Sequence, residues 1–226
     1  MKSPRTLLLL LCLFPAASAA TKPKVVTFGR WMPVKYYAGP DETTALELKI
    51  RPLLVNNEIK EYTIGESHEV SERIFVVRQA SRLNDALPDE PKATARWRWH
   101  PGGWLMVDRS TAHITKLSLP NYDAFYSNAS WYRDLVAYCG ISDNGTRLYA
   151  MVAQIGRRKA VLQKALGAPA GGDLPDSECG EPQWQRQPTR VTFAPNGKDK
   201  VSFSIRSFAE EIPVDNSGDD DPGASK

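Results

Sequence analysis

Arginine and tryptophan alternate in residues 96–99, and His100 and Trp104 complete the densest aromatic and basic cluster of the chain. Exposed indole rings can stack on sugar rings or cations, and guanidinium groups can form paired hydrogen bonds with carboxylates or phosphates. This chemistry predicts binding of an anionic glycan or a cell-envelope partner. The alternative, which we weight more heavily, is that the tryptophans fill the core while the arginines face solvent. The candidate binding residues are Arg96, Trp97, Arg98, Trp99, His100 and Trp104.

A second basic group, Arg157 and Arg158, continues into Lys159. Charged side chains at the end of a strand protect a sheet edge from pairing with another chain, and this is the interpretation we favour. An anion-binding site is the alternative. Arg157 and Arg158 therefore join the candidate binding residues.

Residues 65–69 (GESHE) contain a serine, a histidine and two carboxylates, but they fit neither of two catalytic motifs. A nucleophile elbow needs glycine two residues after the serine, where Glu69 stands. A metalloprotease helix needs a second histidine four residues after the first, where Glu72 stands. We predict a solvated loop here, and no catalytic residue in the chain.

Three histidines, His68, His100 and His113, could form a zinc site if they met in space. No two of them are closely spaced, and each lies among polar residues in a different strand or loop. We therefore predict surface histidines, no metal and no cofactor.

The N-terminal segment has the order of a secretory signal peptide. Lys2 and Arg5 precede the apolar run at residues 7–14, and small residues follow up to Ala20. A membrane span needs about 20 apolar residues, and this run is roughly half that length. We predict cleavage of residues 1–20, no transmembrane anchor, and an extracytoplasmic location in the periplasm or outside the cell.

The charge balance argues against a nucleic-acid partner. The chain has 29 Lys and Arg against 26 Asp and Glu. Removing Lys2 and Arg5 with the signal peptide leaves these charges nearly balanced, whereas nucleic-acid binders are usually basic.

Cys139 and Cys179 are the two cysteines left after removal of the signal peptide. An even number of cysteines in an oxidising compartment makes a disulfide the default expectation. In the chain-entropy model, closing a loop of about 40 residues stabilises the fold by roughly 4 kcal/mol. The alternative is that Cys139 is a buried free thiol on the apolar face of a central strand.

Residues 135–156 (LVAYCGISDNGTRLYAMVAQIG) predict two strands joined by a tight turn. Asp143, Asn144 and Gly145 favour the left-handed dihedrals that a short hairpin needs. Both faces of the first strand are apolar, which is typical of a strand covered by protein on both sides. We predict that this hairpin lies in the middle of the fold.

Alternating apolar and polar residues predict further strands on either side of this hairpin. Residues 101–103 (PGG) predict a turn between two of them, and residues 157–166 fit either strand or helix. The chain is therefore predicted to be all-β, with antiparallel hairpins or a meander in a partial propeller-like or sandwich arrangement. The other predicted strand segments are 24–37, 45–55, 59–64, 72–80, 95–100, 104–108 and 112–119. The turn at Asn56-Asn57 predicts a hairpin between two of them, and residues 191–205 predict a last hairpin about Pro195-Asn196-Gly197.

The predicted organisation has one β-rich domain over residues 21–213, or two subdomains divided near 84–94. That division is a connection rich in proline and acidic residues. Residues 214–226 have almost no apolar side chains and four aspartates, so we predict a disordered acidic tail.

An internal repeat relates Trp131-Tyr132-Arg133 to Trp184-Gln185-Arg186, each followed by a polar Asn-Gly turn. The chain from Trp104 to about Phe208 resembles propeller blades of the TolB or WD type. Residues 59–166 are also similar to an uncharacterised family of exported bacterial proteins, a resemblance that implies export and a shared fold but no catalytic residue.

These observations predict an exported, non-enzymatic binding or scaffolding module of the cell envelope, whose partner is an anionic glycan or an envelope protein. The alternative is a hydrolase acting on an envelope glycan or another polymer. Paired carboxylates about 5–9 Å apart in a cleft would favour that alternative.

Overall fold

The computed structural model describes residues 24–37, 44–84, 97–169, 179–206 and 210–213. Within these ranges the regular elements are all β-strands, and neighbouring strands pair antiparallel with one exception. The prediction of an all-β fold built from antiparallel hairpins is confirmed. The predicted signal peptide, the acidic tail and Arg96 lie outside the described residues. No helix long and apolar enough to cross a membrane occurs in the described part of the chain.

The first seven described strands form one large sheet in which five strands close into a ring. Strands β2 to β6 pair in chain order, β2 also pairs with β6, and β1 and β7 extend the sheet beside β3 and β6. Five strands that alternate in direction leave the first and last parallel, so the ring closes through a parallel contact between Tyr36 and Trp99. The strands are β1 Val26–Phe28, β2 Met32–Tyr36, β3 Leu46–Val55, β4 Glu58–Glu69, β5 Ile74–Asn84, β6 Trp97–Asp108 and β7 His113–Leu117.

A compact apolar core fills the large sheet. Five buried side chains, Leu53, Phe75, Val77, Leu105 and Val107, pack together, with apolar residues of β1 and β7 against them. Val76 lies between Phe75 and Val77 on β5 and is buried as well. Buried and exposed side chains therefore do not alternate along this part of the strand. The centre of β5 is thus covered on both faces.

The predicted loop at residues 65–69 is wrong, because these residues continue β4. Ile64 lies opposite Arg78 and His68 lies opposite Val76, so β4 carries two more residues than β5 over this interval. The extra residues form a bulge, and Gly65 begins it with a φ of 67°. Strands are predicted from the alternation of polar and apolar residues, and a bulge interrupts that alternation. The sequence of residues 65–69 therefore did not indicate a strand.

The predicted turn at residues 101–103 is also wrong, because β6 runs through them. Ala80 lies opposite Pro101 and Arg78 opposite Trp104, which leaves one extra residue on β6. Glycine suits position 102 in this bulge, since a Cβ there would lie 2.7 Å from the Ser81 hydroxyl oxygen and 3.0 Å from the Gln79 carbonyl oxygen. The extra residue reverses the alternation: buried positions are even-numbered before the bulge and odd-numbered after it.

The internal repeat corresponds to two four-stranded antiparallel sheets, each formed by four strands in chain order. Trp131 lies in the first strand of the first four-stranded sheet, and Trp184 in the first strand of the second. The first sheet contains β8 Ala129–Tyr132, β9 Leu135–Ile141, β10 Leu148–Gln154 and β11 Leu162–Gly167. The second contains β12 Gln183–Gln185, β13 Arg190–Phe193, β14 Val201–Arg206 and β15 Glu210–Pro213.

Strand β9 lies at the centre of this part of the molecule, as predicted. On one face, Ala137 and Cys139 pack with Val191 and Phe193 of the second four-stranded sheet. On the other face, Val136 and Tyr138 pack with Met151 under the segment that follows β7. The Tyr138 hydroxyl donates a hydrogen bond of 2.7 Å to the Pro120 carbonyl, and burial raises its pKa, so it remains a neutral donor.

The predicted turn between β9 and β10 is confirmed in position and corrected in detail. Ile141 lies opposite Leu148, and Gly145 has a φ of 69°. Asp143 and Asn144 have no positive φ, so Gly145 alone supplies the left-handed conformation. Asn144 instead accepts hydrogen bonds on its side-chain oxygen from the hydroxyls of Ser142 and Thr146, at 2.7 and 2.8 Å.

Replacing Gly145 by valine should lower the free energy of unfolding by about 1 kcal/mol or more. A Cβ at this position meets no other atom within 4 Å, so the cost comes only from the positive φ, which strains a β-branched residue. Urea unfolding followed by tryptophan fluorescence measures it. Gly103→Val is the matched control, since its Cβ also enters open space but its φ lies outside the left-handed range. Equal losses in the two variants would contradict the assignment.

Candidate functional site

The predicted tryptophan and arginine cluster does not form a single surface. Trp97 is 56% exposed and Trp99 is half-buried, both on the outward face of β6. The interpretation of these two tryptophans as core residues is therefore wrong for Trp97. Arg96, which precedes the strand, lies outside the described residues.

Arg98 and His100 lie on the opposite face of β6, and this face contacts protein. The Arg98 guanidinium carbon is 4.0 Å from the centre of the Tyr37 ring. His100 is only 5% exposed, with its ring edge-on to Phe125 at 5.6 Å between centroids. The prediction of a surface histidine is wrong for His100, because the bulge places even-numbered residues of this part of β6 on the buried side.

Trp104 lies at the junction between the large sheet and the first four-stranded sheet. Its indole N–H donates a 3.1 Å hydrogen bond to the Tyr122 hydroxyl, and its ring meets Trp131 edge-on at 5.1 Å. Burial raises the pKa of the Tyr122 hydroxyl, so that oxygen stays protonated while it accepts the bond. Trp104 therefore packs against the neighbouring sheet and does not form an exposed aromatic surface with Trp97.

The other two histidines have different surroundings. His68 Nε2 lies 2.8 Å from the Arg133 carbonyl, and its ring stacks on Trp131 at 5.8 Å. His113 is exposed at the start of β7. Among the described residues, no group of three His, Cys, Asp or Glu side chains is placed to hold a metal ion.

Trp99 borders a shallow cavity of about 580 Å³, here called the aromatic cavity. Its indole meets the Tyr62 ring at 5.0 Å and 72°, and the Arg82 guanidinium carbon lies 5.9 Å from the indole centre. Strands β4, β5 and β6 contribute most of the lining, and β7 adds Lys116 at one side. The polar and charged members of the lining are Lys60, Glu61, Tyr62, Gln79, Ser81, Arg82 and Lys116.

Arg157 and Arg158 line a separate cavity of about 420 Å³, here called the basic cavity. They follow β10 in a turn where Gly156 has a φ of 82° and the Arg157 N–H donates to the Gln154 carbonyl at 3.1 Å. Lys116 of β7 lines it from the side of the large sheet. The other lining residues in the described part of the chain are apolar or uncharged, so three cationic side chains are the charged groups among them.

Lys116 is the functional candidate that the sequence did not reveal. Alternation along β7 places it on the same face as Ile114, which packs against the core. Nothing in that pattern marks it as a binding residue. Only the tertiary fold brings β7 against the turn after β10, so Lys116 borders both the basic and the aromatic cavity.

Two carboxylates, Glu47 and Glu66, border a third cavity of about 630 Å³ beside Trp31. Glu66 is 80% exposed and accepts a 3.0 Å hydrogen bond from Arg51, whose guanidinium lies between the Phe28 and Trp31 rings. An exposed, ion-paired carboxylate lacks the apolar enclosure that a general acid needs. Glu66 therefore lacks the setting of a general acid.

Comparisons with protein-family models, with curated proteins and with solved structures give no match to this chain.

Proposed function

We propose that this protein is an exported, non-enzymatic binding module for acidic polysaccharides of the cell envelope. The single observation that carries the proposal is the basic cavity, where Lys116, Arg157 and Arg158 share one lining. Cationic side chains gathered in one lining attract carboxylates, sulfates and phosphates. Export is supported by the order of the first 20 residues and by the disulfide, which forms in oxidising compartments.

The size and position of the basic cavity favour a group on a polymer over a buried small molecule. A volume of about 420 Å³ holds one or two sugar-sized units, and the two arginines are exposed at its edge. Exposed charges act through water, so each contact is weak and binding gains from several contacts along a chain. Such binding weakens as salt rises, because exposed charges are screened over about 10 Å at 0.1 M ionic strength.

The Arg157→Ala/Arg158→Ala variant should bind acidic polymers about tenfold more weakly than the unchanged protein at low salt. Two charge-assisted contacts at exposed positions together contribute about 1–2 kcal/mol, which corresponds to roughly that factor. Calorimetric titration with polygalacturonate and with poly(glycerol phosphate) measures it. The first polymer presents carboxylates and the second phosphodiesters, so their relative affinities identify the preferred acid.

The matched control is Arg147→Ala/Lys200→Ala, which removes two positive charges from exposed residues outside the basic cavity. It should bind like the unchanged protein. Equal losses of affinity in both variants would show a general charge effect and contradict the proposed site.

Failure of the unchanged protein to bind either polymer at low salt would overturn the proposed function. New reducing ends in the polygalacturonate sample would identify a hydrolase and contradict a non-enzymatic role.

A further inference from the structure

We infer that the ligand is a chain of acidic pyranose sugars that lies across both cavities, with one sugar ring stacked in the aromatic cavity. This inference rests on the proposed function and specifies its ligand. Arg157 and Arg158 would bind the acidic groups, Trp99 and Tyr62 would bind the ring, and Lys116 would lie between the two positions.

The aromatic cavity has the geometry for a sugar ring. Trp99 and Tyr62 stand at 72° to each other with centroids 5.0 Å apart, and together they form an angled corner. A pyranose ring that enters the corner can place its C–H face on one aromatic ring and its edge on the other. Indole and phenol rings are rigid and lose little conformational entropy on such contact.

The polar groups of the aromatic cavity suit sugar hydroxyls. Gln79 Nε2 donates a 2.8 Å hydrogen bond to Glu61, and this bond fixes the amide and the carboxylate against each other. The amide oxygen of Gln79 and the second carboxylate oxygen of Glu61 can each accept from a hydroxyl, and the Ser81 hydroxyl can donate or accept. A corner of aromatic rings with fixed acceptors is the usual composition of a small-ligand site.

Lys116 joins the two cavities, because it is a lining residue of both. A polymer that occupies one cavity therefore meets Lys116 before it enters the other. The positive charges along this path are Lys60, Arg82 and Lys116 in the aromatic cavity and Arg157 and Arg158 in the basic cavity. Among the described lining residues, Glu61 of the aromatic cavity is the one carboxylate. An acidic chain complements this path along its length.

A sugar polymer fits these observations better than a polynucleotide. Bases would also stack on Trp99, but strong nucleic-acid binding needs a large excess of positive charge, and the chain as a whole is near balance. A polymer without rings, such as poly(glycerol phosphate), can use only the cationic groups. The inference therefore predicts that the aromatic corner discriminates between acidic polymers.

The test compares Trp99→Ala with Trp97→Ala. Trp97 lies two residues away on the same strand and is more exposed, but it does not line the aromatic cavity. Trp99→Ala should weaken binding of galacturonate oligomers about tenfold, the size expected from loss of one stacking contact. It should leave poly(glycerol phosphate) binding unchanged, and Trp97→Ala should leave both unchanged.

A second pair of variants keeps the test decisive if Trp99→Ala perturbs folding. Trp99→Phe retains a ring and should keep most of the galacturonate affinity, whereas Trp99→Leu keeps apolar bulk without a ring and should lose it. Equal affinities for these two variants would overturn the inference. If Arg157→Ala/Arg158→Ala weakens galacturonate binding while Trp99→Ala and Trp99→Leu do not, the inference fails and the proposed function stands. Tighter binding of a single-stranded oligonucleotide than of galacturonate oligomers would overturn the choice of a sugar ligand.

Discussion

Removing the Cys139–Cys179 disulfide should lower the free energy of unfolding by about 4 kcal/mol, the size expected for closing a loop of this length. The bond joins residues 40 positions apart, with Cα atoms 6.1 Å from each other, and this pairing confirms the expectation from the sequence. That separation lies within the range that a disulfide spans without moving the backbone. Without the bond, the unfolded chain gains the freedom that the closed loop had removed.

The position of the disulfide gives this cross-link a structural role beyond loop closure. Cys139 lies on β9, and Cys179 pairs with Pro195 in the turn before β14. Both cysteines are 1% exposed and belong to the core between the two four-stranded sheets. The bond therefore fastens the second sheet to the central strand of the first.

The measurement compares Cys139→Ala, Cys179→Ala and the double variant by urea unfolding. If the covalent cross-link accounts for most of the stabilisation, each single variant loses all of it, and the double variant is hardly less stable than either single variant. If packing of the two side chains dominates, the losses add. Additive losses, or two free thiols in the unreduced protein by mass spectrometry, would contradict the cross-link.

Turn chemistry made the hairpins predictable from the sequence. Asn56 and Asn57 have φ of 52° and 68°, and Gly145 and Gly197 have φ of 69° and 68°. Each of these turns joins two apolar runs, and each predicted hairpin is present. The signal is local, because a residue that tolerates positive φ must stand at the turn itself.

The bulges were not predictable, because they break the local pattern. Residues 65–69 and 101–103 each add residues to one strand without a partner on the next. The second bulge changed the site directly: it turned His100 toward the protein and, by reversing the alternation, placed Trp104 on the outward face with Trp97 and Trp99, where Trp104 packs against Trp131. Strict alternation along the sequence therefore predicted the wrong buried face for β6, because a bulge can be recognised only from the pairing with the neighbouring strand.

The basic cavity could be predicted only in part. The sequence identified Arg157 and Arg158 by their adjacency, which is a local property. It could not identify Lys116, which lies about 40 residues earlier and reaches them only because β7 packs beside the turn after β10. No short-range pattern encodes that contact, since it depends on how the large sheet packs against the first four-stranded sheet.

Replacing Phe193 by alanine should lower the free energy of unfolding by about 3–5 kcal/mol, the usual cost of removing a buried phenylalanine side chain. Phe193 is fully buried on β13, and its ring meets Phe203 edge-on at 6.0 Å. It belongs to the core that also contains Ala137 and Cys139 of β9. Since the two four-stranded sheets share this core, the loss should affect both. Hydrogen exchange should show reduced amide protection on β9 as well as on β13.

Phe125→Ala is the matched control, because it removes the same atoms from a side chain that is 43% exposed. The free energy of unfolding should fall by about 1 kcal/mol or less in this variant, as is usual for an exposed position.

Trp184 is a second probe of the contact between the two four-stranded sheets. Its indole N–H donates to the Ser130 carbonyl at 3.1 Å, and its ring stacks on Tyr132 at 5.4 Å. The Trp184 fluorescence should therefore shift in Phe193→Ala and stay constant in Phe125→Ala. If Phe193→Ala lowered protection on β13 but left β9 unchanged, the two sheets would be independent units, and the disulfide alone would hold them together.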